Sequence, residues 1–242
     1  MRRLLLSIAG IFAIITFVAS AQPKLVIEGG DSYYFGIRDR SAGGNPSYAT
    51  IKFFNVGDAS LNVQNPKPTC GCTTAPLDKN KIEPGEFAIL SVKLYLNVSR
   101  GPYSKTIKID SDDPSAPNRT LAINADVNQD EGFGEIQLFG DKEKQFVTLE
   151  LMPKGKNTKG TMALQNNTDK DIEITSVELD PPSMKINLKS GTTIKPGADN
   201  QVTFELTAKS DSIGEFKGNI KLTTTSEKRK NITIPVWGYV MK

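Results

Sequence analysis

The apolar residues of this chain recur at every second position, in short runs, from Lys24 onward. Leu90, Val92 and Leu94 form one such run, and Gly, Pro, Asn and Asp separate each run from the next. No long segment has the period of a helix. Period two is typical of strands that bury one face, and many short strands divided by turn residues favour an antiparallel sandwich over a βαβ fold. The sequence therefore predicts an all-β protein.

The second half of the chain repeats the first. The turn Ile82-Glu83-Pro84-Gly85 returns as Ile194-Lys195-Pro196-Gly197, and Phe54-Asn55-Val56-Gly57-Asp58 returns as Gln165-Asn166-Asn167-Thr168-Asp169. Matched positions stay about 111 to 113 residues apart, a spacing close to the usual size of one domain. The Asx and Gly residues of these motifs are turn formers, and Pro-Gly is typical of a type II turn. The sequence thus predicts a tandem duplication of one sandwich.

The beginning of the chain has the pattern of a secretory signal peptide. Arg2 and Arg3 are followed by an apolar run from Leu4 to Val18 and by the small residues Ala19-Ser20-Ala21. Residues 1–21 are therefore predicted to be removed, and the run is short for a membrane span, which needs about 20 apolar residues. We expect a soluble mature protein without a membrane span, periplasmic or secreted.

A short polar stretch at residues 128–132, with the sequence Asn-Gln-Asp-Glu-Gly, has nothing to bury and is taken as the domain boundary. The predicted domains are residues 22–128, which hold the Cys-Gly-Cys sequence, and residues 129–242. Each has about the usual size of a single domain and buries enough surface to fold without cross-links.

The chain has no histidine, and its net charge is only +3, of which Arg2 and Arg3 contribute two. Nucleophile pairs that need histidine and His-ligated metal sites are therefore excluded. A nucleic acid or an anionic membrane requires clustered positive charge, and the only basic run of three, Lys228-Arg229-Lys230, is predicted to lie in a hairpin turn. Neither is therefore expected as a partner. No cofactor and no small-molecule substrate are evident.

The two cysteines, Cys70 and Cys72, are separated by Gly71 and leave four interpretations open. They are a disulfide that closes a sharp structural loop, a pair active in thiol–disulfide exchange, a Cu(I) site, or an intermolecular bridge. In a straight strand, Cα atoms two residues apart are about 6.6 Å from each other, near the upper limit for a disulfide. We expect Gly71 to supply the bend that brings them closer.

Three further features have an ordinary structural explanation beside a functional one. Asp110, Asp112 and Asp113 suit a calcium ion, but Ser-Asp-Asp-Pro also starts turns. Glu83 and Glu86 suit a carboxylate pair for glycoside chemistry, but they flank a turn where solvated charges are expected. Trp237, the only tryptophan, is predicted to lie in a core or an interface.

Several short motifs together resemble a bacterial family of domains of unknown function, the one numbered 1573. The motifs are Phe35-Gly36-Ile37, Phe54-Asn55-Val56-Gly57-Asp58, Cys70-Gly71-Cys72-Thr73, Ile82-Glu83-Pro84-Gly85-Glu86, Gly101-Pro102-Tyr103-Ser104-Lys105 and Asp112-Asp113-Pro114. The resemblance covers about residues 31–128, and the second domain looks like a diverged copy. The family is similar to Hydin-type and major-sperm-protein domains, which implies immunoglobulin-like sandwiches with scaffolding or adhesive roles.

Together these observations predict two tandem immunoglobulin-like antiparallel sandwiches in an exported protein of the bacterial cell envelope. The expected function is non-catalytic binding or scaffolding, with an envelope or surface protein held at an edge strand. The alternative is a thiol-redox or Cu(I)-handling protein that uses Cys70 and Cys72.

Overall fold

The computed structural model describes residues 21–38, 46–96, 101–127, 134–140 and 144–242. The predicted signal peptide and the predicted domain boundary at residues 128–132 lie outside these ranges, apart from Ala21. Among the described residues, no helix is both long enough and apolar enough to cross a membrane.

The described chain is made of strands, with one short 3-10 turn at Ala198–Asn200. The strands are β1 (Leu25–Ile27), β2 (Ser32–Arg38), β3 (Ser47–Asn55), β4 (Leu61–Asn62), β5 (Lys67–Pro68), β6 (Thr73–Thr74), β7 (Lys81–Ile82), β8 (Phe87–Leu94), β9 (Gly101–Asp110), β10 (Asn118–Val127), β11 (Ile136–Gly140), β12 (Val147–Pro153), β13 (Thr158–Asn166), β14 (Ile172–Asp180), β15 (Lys185–Ile186), β16 (Thr192–Ile194), β17 (Val202–Ala208), β18 (Gly214–Thr224) and β19 (Asn231–Met241).

Two sandwiches follow one another along the chain. The first has a sheet in the order β1-β3-β8-β6 and a sheet in the order β2-β10-β9-β5, with a small β4-β7 pair beside them. The second has sheets in the orders β11-β13-β17-β15 and β12-β19-β18-β14-β16. The prediction of an all-β, sandwich-forming chain is confirmed.

Alternation along the strands explains the sandwiches. In β8 the side chains of Ala88, Leu90, Val92 and Leu94 are buried, and those between them face outward. Because successive side chains of a strand point to opposite faces, one face enters the core and the other meets solvent or a neighbour. The interior residues come from both sheets of each sandwich.

One pair of strands in each sandwich differs from the expected antiparallel arrangement. Strand β2 pairs in parallel with β10, and β12 pairs in parallel with β19. Partners that lie so far apart in sequence are not joined by a hairpin, so the connection does not force them to run in opposite directions. Each parallel pair has a break in register, at Gly36 with φ 82° and at Glu150 with φ 51°.

The two repeated turn motifs have matching contacts. Gly85 and Gly197 have φ of 79° and 95°, as the predicted Pro-Gly turns require. Asn55 donates to the carbonyls of residues 59 and 82, and Asn166 donates to the carbonyls of residues 170 and 194. Both asparagine side chains are fully buried. Each side-chain oxygen also accepts from the amide two residues on, so each asparagine shapes its own turn and ties it to a second one.

The sandwiches share a buried boundary. Phe146, Trp237 and Tyr239 of the second belong to the same buried cluster as the core of the first. The Trp237 ring stacks on Phe54, with the ring centroids 6.3 Å apart. The prediction that Trp237 lies in a core or an interface is confirmed.

A buried ion pair also joins the sandwiches. Lys144 Nζ lies 2.8 Å from Glu28 Oε1, and the two side chains are 1% and 0% exposed. The other oxygen, Glu28 Oε2, accepts a hydrogen bond from the backbone of Lys52 at 3.1 Å. Buried charges are stable only when they are paired and hydrogen-bonded, so these contacts specify how the two sandwiches meet.

Candidate functional site in the Cys-Gly-Cys loop and the adjoining groove

The Cys-Gly-Cys loop lies where the chain crosses from one sheet of the first sandwich to the other. Before the loop, β5 pairs with β9, and after it, β6 pairs with β8. The amide of Tyr95 donates to the carbonyl of Cys72 at 2.9 Å, which fixes the end of the loop to the second sheet. The cysteines therefore sit at one edge of the sandwich.

Cys70 and Cys72 are joined by a disulfide, with their Cα atoms 5.3 Å apart. The expected bend is present, but the expected need for glycine is not. The φ of Gly71 lies outside the left-handed region, and a Cβ atom placed on it meets nothing within 4 Å. Both cysteines are half-buried, and Gly71 between them is exposed. The loop is thus open on the side of Gly71.

A tyrosine hydroxyl reaches the disulfide from the core side. Tyr103 Oη lies 3.3 Å from Cys72 Sγ and donates to the carbonyl of Tyr95 at 3.1 Å. Burial raises the pKa of Tyr103, so its hydroxyl remains a donor at neutral pH. Thr73 Oγ1 lies 3.8 Å from each sulfur.

The sequence did not predict this role for Tyr103, although a signal was present. In the second half, the position that corresponds to Tyr103 is Phe216, which has no hydroxyl. The cysteines are absent from that half as well. A hydroxyl that occurs only in the half that has the cysteines points to contact between them.

The acidic candidates are engaged separately. Asp110 pairs with Lys67 at 3.5 Å, and Asp112 accepts from Asn62. Burial by itself raises the pKa of Asp113, but hydrogen bonds from Ser115 and from backbone amides outweigh it and lower that pKa below its usual value. Asp113 also accepts from the amide of residue 25 at 2.9 Å, so it has a structural task.

Glu83 and Glu86 each pair with an exposed lysine, Lys81 and Lys79 respectively, at 2.7 Å. Hydrogen bonds from Lys81 and Ser60 lower the pKa of Glu83. Among the described residues, no group of three or more Cys, Asp or Glu side chains is placed to share a metal ion.

A surface groove of about 920 Å³ lies on the outer face of the β3-β8-β6 sheet. Its lining includes Arg38, Tyr48, Thr50, Ser91, Lys93 and, from the second sandwich, Gln137. Tyr48 is 64% exposed, and Thr50 Oγ1 is buried without a hydrogen-bond partner. The sequence pattern marks these side chains only as outward-facing and does not indicate that the second sandwich adjoins them, so the groove was not predicted.

Comparison by sequence found no relative among curated proteins. Comparison of structures found a protein of unknown function from Porphyromonas gingivalis W83, with a TM-score of 0.36 and 12% identity over 89% of this chain and 99% of that one. It also found the ASH/PapD-like domain 7 of human CEP192, with a TM-score of 0.34 and 13% identity over 52% of this chain and 99% of that one. The YadV chaperone has a TM-score of 0.31 and 12% identity, over 88% and 98% of the two chains.

Likenesses this distant carry no argument about function. The family comparison is more specific. Its match includes the Cys-Gly-Cys loop but ends before the second sandwich. The duplication of the first sandwich in the second therefore stays a prediction. Over residues 37–127, the chain is therefore confirmed as a match to the family described as "Protein of unknown function (DUF1573)".

Proposed function

We propose that the protein is exported to the bacterial cell envelope and binds another protein there without catalysing a reaction. The observation that carries this proposal is Tyr48, an aromatic side chain that is 64% exposed inside a groove of about 920 Å³. Large exposed aromatics surrounded by polar groups are typical of the centres of protein interfaces. The groove, rather than the cysteine loop, is the proposed contact surface.

The sheet edges are less favourable as contact surfaces than the sequence suggested. Strand β5 contains Pro68, and Pro76 follows β6, and proline cannot donate to an added strand. At β1, Leu25 donates to Asp113 and accepts from Arg119. These features occupy or blunt the edges at β1, β5 and β6, so we propose the groove in preference to strand addition there.

The lining of the groove indicates the chemistry of the partner. Arg38 and Lys93 are positive, and the described lining contains no acidic residue. The exposed Ser91 hydroxyl and the Gln137 amide are able to hydrogen-bond to a peptide backbone. An extended segment of a partner protein, neutral or acidic in character, fits this surface.

The proposal is tested with the full chain exported from a bacterium and a photo-crosslinking amino acid at position 48. A matched protein carries the same amino acid at Ile213, which is 52% exposed and lines a different cavity. We expect one dominant partner protein to be crosslinked at position 48. The same protein should not be crosslinked at position 213. Mass spectrometry identifies the partner.

The partner is then purified and its affinity measured by calorimetry. Tyr48→Ala is expected to weaken binding by about 30-fold, the effect of a typical hot-spot residue, whereas Ile213→Ala leaves binding unchanged. Equal crosslinking at both positions, or equal affinity of the two variants, contradicts the proposal. A third protein carries the crosslinking amino acid in the edge strand β15, and a dominant crosslink there in place of position 48 favours an edge strand.

A second candidate function is thiol–disulfide exchange, because the disulfide is half-buried, open beside Gly71 and hydrogen-bonded by Tyr103. In such a step, the thiolate of an external dithiol protein attacks one sulfur, and the other sulfur leaves as a thiolate. The second thiol of the external protein then attacks the mixed disulfide. The external protein leaves with its own disulfide, and both cysteines of this chain are reduced. A hydroxyl donor beside the leaving sulfur stabilises its thiolate.

Thiol titration by mass spectrometry, with and without reductant and Cu(I), tests this candidate. Exchange predicts that a small dithiol reduces the folded protein and that Tyr103→Phe slows reduction several-fold. Lys105→Ala is the control, since it removes an ammonium 5.0 Å from the centroid of the same ring and keeps the Tyr103 hydroxyl. A disulfide that resists reduction until the protein unfolds eliminates the candidate.

A further inference from the structure

Gln22, the first residue after the predicted cleavage point, is held at both ends of its backbone by Asp58. The Gln22 nitrogen lies 2.6 Å from Asp58 Oδ1. In return, the Asp58 amide donates to the Gln22 carbonyl at 3.0 Å. The pair therefore fixes the position of the Gln22 nitrogen beside a carboxylate.

The backbone around Gly57 lies very close to the backbone of Gln22 and Lys24. A Cβ atom on Gly57 would lie 2.2 Å from the Gln22 carbonyl oxygen and 2.6 Å from the Lys24 nitrogen. The amide of Val56 donates to the Lys24 carbonyl at 2.9 Å. Gly57, whose φ is not positive, is thus required for the space that it leaves and not for a left-handed backbone conformation.

We propose that Asp58 binds the α-ammonium group of Gln22 in the processed protein. This inference rests on export, which is part of the proposed function. Hydrolysis of the bond between Ala21 and Gln22 converts the amide nitrogen into a protonated amine at the same position. A charge-assisted hydrogen bond between an ammonium and a carboxylate is stronger than the neutral bond that it replaces.

The other charges near this position are engaged or mixed in sign. The adjoining cavity of about 570 Å³ is lined by Lys24, Asp58, Asp113 and Lys242. Asp113 accepts from the Leu25 amide, and Lys24 lies over the Tyr239 ring at 5.7 Å from its centroid. Asp58 is therefore the carboxylate assigned to the new terminus.

This contact has a chemical consequence for Gln22. An amino-terminal glutamine cyclises when its α-amine nitrogen attacks its own side-chain amide carbon, forming a new carbon–nitrogen bond and releasing ammonia. Only the unprotonated amine is a nucleophile. A carboxylate that favours the ammonium therefore slows both cyclisation and reaction with external acylating reagents.

The test uses the full mature chain, released with Gln22 as its first residue from a cleavable tag by a site-specific protease. Asp58→Asn is compared with Asp169→Asn, the corresponding residue of the second half. Mass spectrometry follows acylation of the α-amine and cyclisation at neutral pH. We expect both rates to rise about 3- to 10-fold in D58N, because the amine loses its carboxylate, and to stay at the wild-type value in D169N.

A chain that retains Ser20 and Ala21 provides a second measurement, since its amine is displaced from Asp58. Its acylation rate is expected to match that of D58N. Equal acylation and cyclisation rates in D58N and D169N overturn the role of Asp58. This outcome does not depend on how the cell processes the precursor. Sequencing of the exported protein is a separate test: a first residue other than Gln22 overturns the processing on which the inference rests.

Discussion

Replacement of Lys144 by alanine is expected to lower the free energy of unfolding by about 3–5 kcal/mol. The substitution leaves Glu28 buried without the ammonium that lies 2.8 Å from its Oε1 atom. An uncompensated buried charge is far more costly than the loss of an exposed pair. Urea unfolding followed by the fluorescence of Trp237, the only tryptophan, reports this boundary directly because its ring stacks on Phe54.

Two comparisons separate the ion pair from a general effect of removing a lysine. Lys159→Ala removes an ammonium whose side chain is 64% exposed and pairs with Glu205 at 2.9 Å, and little change is expected. The double variant Glu28→Gln with Lys144→Met removes both charges, and it should regain most of the lost stability. If K144A unfolds at the same urea concentration as K159A, the ion pair does not hold the sandwiches together.

The alternation of apolar residues was enough to predict the fold, because it states which face of each strand is buried. It does not state which strand lies beside which, so the parallel pairs β2-β10 and β12-β19 were missed. Charged side chains are almost always exposed unless a partner is present, and the sequence does not show which charges are paired. For Glu28, that partner lies 116 residues further along the chain.

The candidate site was predicted only in part. The sequence identified Cys70 and Cys72 and the possibility of a disulfide, which the structure contains. Tyr103 and the groove around Tyr48 arise from neighbours brought together by the fold, and spacing along the chain does not encode them. Only the difference between Tyr103 and Phe216, read together with the missing cysteines, offered a hint.

Substitution of either buried asparagine by alanine is expected to destabilise the protein by about 3 kcal/mol, because each unpaired buried group costs about 1–3 kcal/mol. Asn55→Ala removes the donor to the Ile82 carbonyl at 2.8 Å and the acceptor of the Gly57 amide at 3.0 Å. Asn166→Ala removes the donor to the Ile194 carbonyl at 2.9 Å and the acceptor of the Thr168 amide at 2.9 Å.

The matched control is Asn167→Ala, next to Asn166 but exposed, whose amide donates at 3.3 and 3.4 Å and whose oxygen accepts from Gln165 at 2.7 Å in contact with solvent. The urea concentration at the midpoint of unfolding should be similar for N55A and N166A, and well below that of N167A and of the wild type. Similar losses are what a duplicated sandwich requires, since the same side chain then ties the same two turns in each copy. A large loss in N55A beside a negligible loss in N166A would mean that the two halves share a sequence pattern without sharing the contact that stabilises it.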